Sequence, residues 1–180
     1  MKKVNALHIL LEVIVILGNL VIGITALTFM IQKASIDRVF VGSIVLAIGV
    51  IEFTDFFTWK YATKIRSIQS AVAAVLSIAL GLVFIFVVMN SKIMCILWGA
   101  FSIAFSGAKI ATAMLNMAHQ PLLNAIKTIL LIVEIVFSIV LIISTLNSLY
   151  AHVTFVGIAL IIEAVILLIE FMVHRYQQNL

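Results

Sequence analysis

Apolar residues run through this chain in six long blocks separated by short polar segments. The blocks cover 6–31, 39–59, 68–89, 93–115, 122–146 and 149–173. Each is long enough for a helix rising 1.5 Å per residue to cross a hydrocarbon layer some 30 Å thick. The blocks are apolar on most faces and lack the alternation of a barrel strand. Helices, which satisfy every backbone group inside one segment, are therefore the expected spanning structure. The intervening segments, 32–38, 60–67, 90–92, 116–121 and 147–148, are so short that consecutive helices must be antiparallel neighbours. The pattern predicts an all-α polytopic membrane protein with six transmembrane helices. The first block follows Met1-Lys2-Lys3, but it is too long for a signal peptide and no small-residue cleavage site precedes a polar mature chain. It is expected to be a retained span.

Composition sharpens this picture. Of 180 residues, 65% are hydrophobic and 10% charged, and the mean hydropathy is +1.34. Six spans leave no room for a soluble domain, which excludes a soluble catalytic fold, a nucleic-acid module and a disordered tail. The net charge of +4 is read as topology rather than as affinity for nucleic acid. Lys2, Lys3, Lys60, Lys64, Arg66, Lys127 and Arg175 fall on one side, against Lys33, Arg38 and Lys92 on the other. The positive-inside rule then places both termini in the cytoplasm. Trp59 and Tyr61 on the inner side and Tyr150 on the outer side suit interfacial anchoring.

The chain also repeats. Setting Gly23 over Gly81 and Ser138 brings Asn19 over Ser77 and Glu134, and Glu12 over Ser70 and Lys127. In the helices that follow, Gly42, Gly99 and Gly157 align, and seven residues later stand Gly49, Ser106 and Ala164. The sequence reads as three copies of one helical hairpin, over about 6–59, 68–115 and 122–173. Within lipid the hydrophobic drive between helices is small, so close approach at such small residues supplies much of the contact energy. Positions seven apart share a helix face, making these pairs matching packing seams.

The stretches Val21-Ile22-Gly23-Ile24, Val41-Gly42-Ser43-Ile44-Val45-Leu46-Ala47-Ile48-Gly49 and Val156-Gly157-Ile158-Ala159-Leu160-Ile161 resemble the repeated hairpin of the HdeD-like bacterial membrane proteins. The resemblance covers nearly the whole chain. It implies a six-helix protein of the bacterial inner membrane with a short duplicated unit, associated with acid resistance and stress response. Members often carry Pro after the first helix of a repeat, whereas that linker here reads Gln32-Lys33-Ala34-Ser35 and Pro121 is the only proline. The family offers no catalytic residues to carry over.

Site chemistry is sparse. There is no phosphate-binding loop, no HExxH and no nucleophile elbow, so no enzyme activity, cofactor or metal is expected. Cys95, the only cysteine, reads as a packing residue, and His8, His119, His152 and His174 as interfacial residues near loops and ends. The intramembrane charges carry the signal, because ionisable groups at depth are costly and functional by default. Glu52 and Lys109 share a repeat position with opposite signs, as do Glu12 and Lys127. These four are read as ion-pairing or snorkelling residues that fix helix order. Glu134 and Glu163 lie near mid-membrane, with no cation expected at equal depth. They are read either as neutral carboxyls hydrogen-bonded to a neighbouring helix or, with Glu52, as a proton- or cation-linked site.

These observations support a non-enzymatic inner-membrane protein with an undefined stress-related activity, or alternatively a small proton- or cation-linked transporter or channel. A membrane-embedded interaction subunit is a third class. The partners consistent with the composition are the lipid bilayer, a second copy of the chain and another membrane protein.

Overall fold

The computed structural model describes residues 6–31, 37–59, 64–115 and 121–179. They form six α-helices: α1 (Ala6–Ile31), α2 (Arg38–Trp59), α3 (Lys64–Phe86), α4 (Ser91–Leu115), α5 (Pro121–Ile143) and α6 (Thr145–Asn179). Every one contains a stretch long and apolar enough to cross a membrane. The chain is a six-helix polytopic membrane protein.

Polar residues between the apolar blocks cap the helices that follow them. The Asp37 carboxylate accepts the Phe40 N–H at 2.8 Å, and the Asn90 side chain accepts the Lys92 N–H at 2.9 Å, each taking up an N–H that has no partner inside its helix. Pro121, which has no N–H to lose, opens α5. The last turn departs from the sequence reading, which put it at 147–148. The chain breaks instead at Ser144, and Asn147 and Ser148 fall in the first turn of α6. Both residue types suit a helix start as well as a loop, so the same letters fit either place. As a result α6 has 35 residues, or about 52 Å of helix at 1.5 Å per residue, longer than one crossing needs.

The closest helix packing joins α2 to α3, α4 to α5 and α1 to α6. Each of these interfaces sets the second helix of one sequence repeat against the first helix of the next. Small residues make the approach possible. A Cβ on Gly42 would stand 2.9 Å from the Gly81 carbonyl oxygen, one on Gly99 2.8 Å from that of Ser138, and one on Gly23 2.7 Å from that of Gly157. The aligned positions therefore meet as three pairs, and the α1–α6 pair closes the bundle. Further along, Gly49 lies against Ser77 and Ile78, while Ser106 and Ala164 are buried. Gly107, off the repeat, faces open space.

The apolar core occupies one half of the bundle, toward the α3–α4 turn and the α5–α6 break. Ala26, Val45, Phe84, Trp98, Leu141 and Val153, one from each helix, are buried there together. Cys95 is buried in the same cluster. The start of α1 and the end of α6 lie at the opposite end, where the bundle is filled differently.

Candidate functional site

In that other half all six helices contribute to a cavity of about 140 Å³. The sequence sets polar residues along one face of each wall. On α5, Asn124, Lys127, Leu131 and Glu134 recur at helical spacing, and on α6 Ala159, Glu163 and Ile166 do so. Glu52 and Asp55 come from α2, Lys109 and Thr112 from α4, Gln69 and Ser70 from α3, and Asn19 from α1. A wall this polar survives within a membrane because the residues face the bundle interior and one another.

Lys109 stands at the centre of the charge arrangement. Its Nζ lies 2.9 Å from Oε1 of Glu52 and 3.4 Å from Oε1 of Glu163, so an ammonium from α4 is held between carboxylates from α2 and α6. The same Nζ is 4.4 Å from the centroid of the Phe105 ring, one turn back on α4. Such a seat combines charge-assisted hydrogen bonds with a cation–π contact. Around it, Ser70 donates to Oδ2 of Asp55 at 2.8 Å, Thr112 donates to Gln69, and Lys127 pairs with Glu170 at 2.5 Å.

Each charged residue singled out from the sequence now has a place. Glu52 and Lys109, which share a repeat position, meet directly. Glu12 and Lys127, read with them, do not face one another: Glu12 is 3.4 Å from His8 on its own helix, and Lys127 points inward to Glu170. Lys127 is thus a bundle charge and not a loop charge, because α5 begins at Pro121 and Lys127 lies nearly two turns inside it. Glu163 corrects the sequence reading more sharply, since it has a cation after all. Lys109 lies six residues from the end of α4 and Glu163 ten from the end of its span at Val173, an axial offset of roughly 6 Å at 1.5 Å per residue. A lysine stem covers that distance. Glu134 lines the cavity beyond this pair, next to buried Ser106, and its backbone carbonyl accepts a hydrogen bond from Ser138 at 2.7 Å.

His152 also departs from expectation. It is fully buried, edge-on to Trp98 with ring centroids 4.6 Å apart, and neither ring nitrogen has a hydrogen-bond partner among the described residues. With α6 starting at Thr145, His152 falls two turns inside the helix and not at its mouth. His119, Lys2, Lys3, Lys33, Lys60 and Tyr61 lie outside the described residues, and the side chains of Trp59 and His174 lie outside the described set as well. Asp55, Gln69, Thr112 and Asn124 were not singled out as cavity residues. The signal available for them was spacing: each sits three or four residues, or one multiple of that, from a recognised charge on its own helix or faces one across an interface.

Among the described residues no group of three or more His, Cys, Asp or Glu is placed to hold a metal ion. Comparison with protein-family models, with curated proteins and with solved structures finds no match to the chain.

Proposed function

We propose that this membrane protein is a small proton- or cation-linked transport protein whose loading site is the cavity around Glu52, Lys109, Glu134 and Glu163. One observation carries the reading. Glu52, Asp55, Glu134, Glu163 and Glu170 share one polar region with Lys109 and Lys127, so five carboxyl groups stand against two ammonium groups. Inside a bilayer an uncompensated charge is expensive, and the excess is balanced by protons or by bound cations. Occupancy of the site then follows the pH or the cation concentration on the side to which it opens. A site drawn from several repeats at depth is where secondary transporters place their coupling ions.

The orientation follows from the remaining charges in the connections and at the helix ends. With Lys127 assigned to the bundle, Lys2, Lys3, Lys60, Lys64, Arg66 and Arg175 still outnumber Lys33, Arg38 and Lys92, which turns the cavity half toward the cytoplasm. Single cysteines at Lys64→Cys and Asn147→Cys in a Cys95→Ser background are expected to label from opposite sides. The glycine hairpins' resemblance to HdeD-like proteins supports a bacterial inner membrane and an acid-stress setting, in which a proton-loaded cavity has an evident use.

The test is flux. Purified full-length chain in liposomes with an entrapped pH dye, under an imposed potassium diffusion potential, is expected to carry protons or sodium faster than empty vesicles. Glu134→Gln and Glu163→Gln are expected to reduce that flux by about tenfold or more, the equivalent of one charge-assisted hydrogen bond of about 1.5 kcal/mol. Flux equal to that of empty vesicles would overturn the reading.

A further inference from the structure

Two features of the cavity go beyond charge excess. The first is the seat of Lys109: a primary ammonium bounded by Glu52 at 2.9 Å, Glu163 at 3.4 Å and the Phe105 ring at 4.4 Å. Two carboxylates and an aromatic face are the chemistry by which proteins hold alkylammonium ligands. Here the occupant is the protein's own, on a flexible four-carbon stem, and it borders open volume. The cavity's 140 Å³ accommodates a molecule of several heavy atoms, since one water centre needs only about 10–15 Å³.

The second feature is Asn19. It is 4% exposed and lines the same cavity. The amide offers both a donor and an acceptor, which matches a neutral polar group such as a hydroxyl.

We propose that the cavity binds a small primary ammonium carrying a neutral hydrogen-bonding group, the amino-alcohol class, which displaces the Lys109 ammonium from between Glu52 and Glu163 and meets Asn19 with its polar end. The proposal rests on the transport reading above and names its substrate class. Lys109 is then a tethered competitor: it occupies the seat between the two carboxylates while the site is empty and yields it to the ligand, turning toward Glu134, which also lines the cavity. A quaternary ammonium lacks the N–H donors that the carboxylate seat requires. A carboxylate-bearing ligand is disfavoured by the surrounding acidic residues.

The probes are ethanolammonium and ethylammonium chloride, with tetramethylammonium and sodium chloride as controls, applied at constant ionic strength to the full chain in detergent micelles. Infrared difference spectra of the wild type are expected to show carboxylate bands perturbed by ethanolammonium and not by sodium, with the change lost in Glu163→Gln. Calorimetric affinity is expected to tighten by about tenfold in Lys109→Met, the gain from removing a competitor that holds the seat some nine-tenths of the time. Asn19→Ala is expected to weaken ethanolammonium and leave ethylammonium unchanged. Equal response to tetramethylammonium, or unchanged affinity in a folded Lys109→Met, overturns the proposal. Should Lys109→Met fail to fold, the wild-type spectra decide, and identical spectra in ethanolammonium and sodium overturn it. Proton flux in liposomes without any ethanolammonium response removes this proposal and leaves the transport reading standing, whereas absence of both removes both.

Discussion

The two halves of the bundle are drawn from the same six helices and filled by different means. Around Trp98, each helix contributes an apolar side chain and the contacts are matters of shape; even the imidazole of His152 is packed against the Trp98 edge without a hydrogen-bond partner. Around Lys109, each helix contributes a polar or charged side chain, and the contacts are matters of charge. The helix seams are backbone approaches that depend on Gly42, Gly81, Gly99 and Gly157 and not on what fills the middle. The backbone frame is thus separable from its contents, which leaves one half free to carry chemistry.

The largest effect is expected at the frame itself. A Cβ on Gly81 would lie 2.7 Å from the backbone nitrogen and Cβ of Leu46, so Gly81→Leu must push α2 and α3 apart, at about 3 kcal/mol or more. That corresponds to roughly 6–12 °C in Tm for a chain of this size, read by thermal unfolding in detergent. Gly107→Leu, with open space around it, is expected to stay within about 0.5 kcal/mol. Equal losses at the two glycines would dissolve the frame as a distinct feature.

Next comes a pair of substitutions, one in each half. Trp98→Ala leaves a void in the dry half, and because lipid is as apolar as the core, only the packing part of the usual loss remains, about 2 kcal/mol. Lys109→Met strands Glu52 and Glu163 and is expected to cost a similar ~2 kcal/mol. The two differ in their coupling to Glu52→Gln. Glu52→Gln should recover part of the Lys109→Met loss, while with Trp98→Ala it should simply add, within about 0.5 kcal/mol. A Trp98–Glu52 coupling as large as the Lys109–Glu52 coupling would erase the boundary between the halves.

Much of this frame was legible in the sequence, and for a physical reason. Span length and the run of small residues are properties of single helices, so α1 matches the predicted 6–31 and Gly23, Gly42, Gly81, Gly99 and Gly157 all fall at helix contacts. Partner choice is a property of two helices at once. The repeat set Glu52 beside Lys109 by equivalence, but nothing along the chain gave the rotation of α6 that brings Glu163 to the same ammonium. Counting residues from a loop also measures Cα depth and omits the reach of a lysine stem, which hid that pair. His152 was misplaced because the start of α6 shifted by a few residues, whereas Lys127 was counted with the flanking charges although it lies inside the predicted and the observed fifth helix.

The smallest expected effect lies at the rim of the polar half. Lys127 and Glu170 are paired but about one-fifth exposed, and Lys127→Met should cost about 1 kcal/mol or less. A loss above that of Lys109→Met would move the centre of the charged half from Glu52 and Glu163 to the rim.

The close approach of Gly23 to Gly157 also has a consequence for biogenesis. The α2–α3 and α4–α5 seams can form between helices that leave the insertion machinery in succession, whereas α1 must wait for α6. Until α6 arrives, Asn19 faces lipid or a chaperoning insertase, and Lys109 lacks its second carboxylate. Such a late, sequence-distant closure is a slow step by loop-closure entropy. The charged chamber is therefore completed only when α6 has been inserted, so that a product truncated before α6 carries the frame's first seams and no working interior.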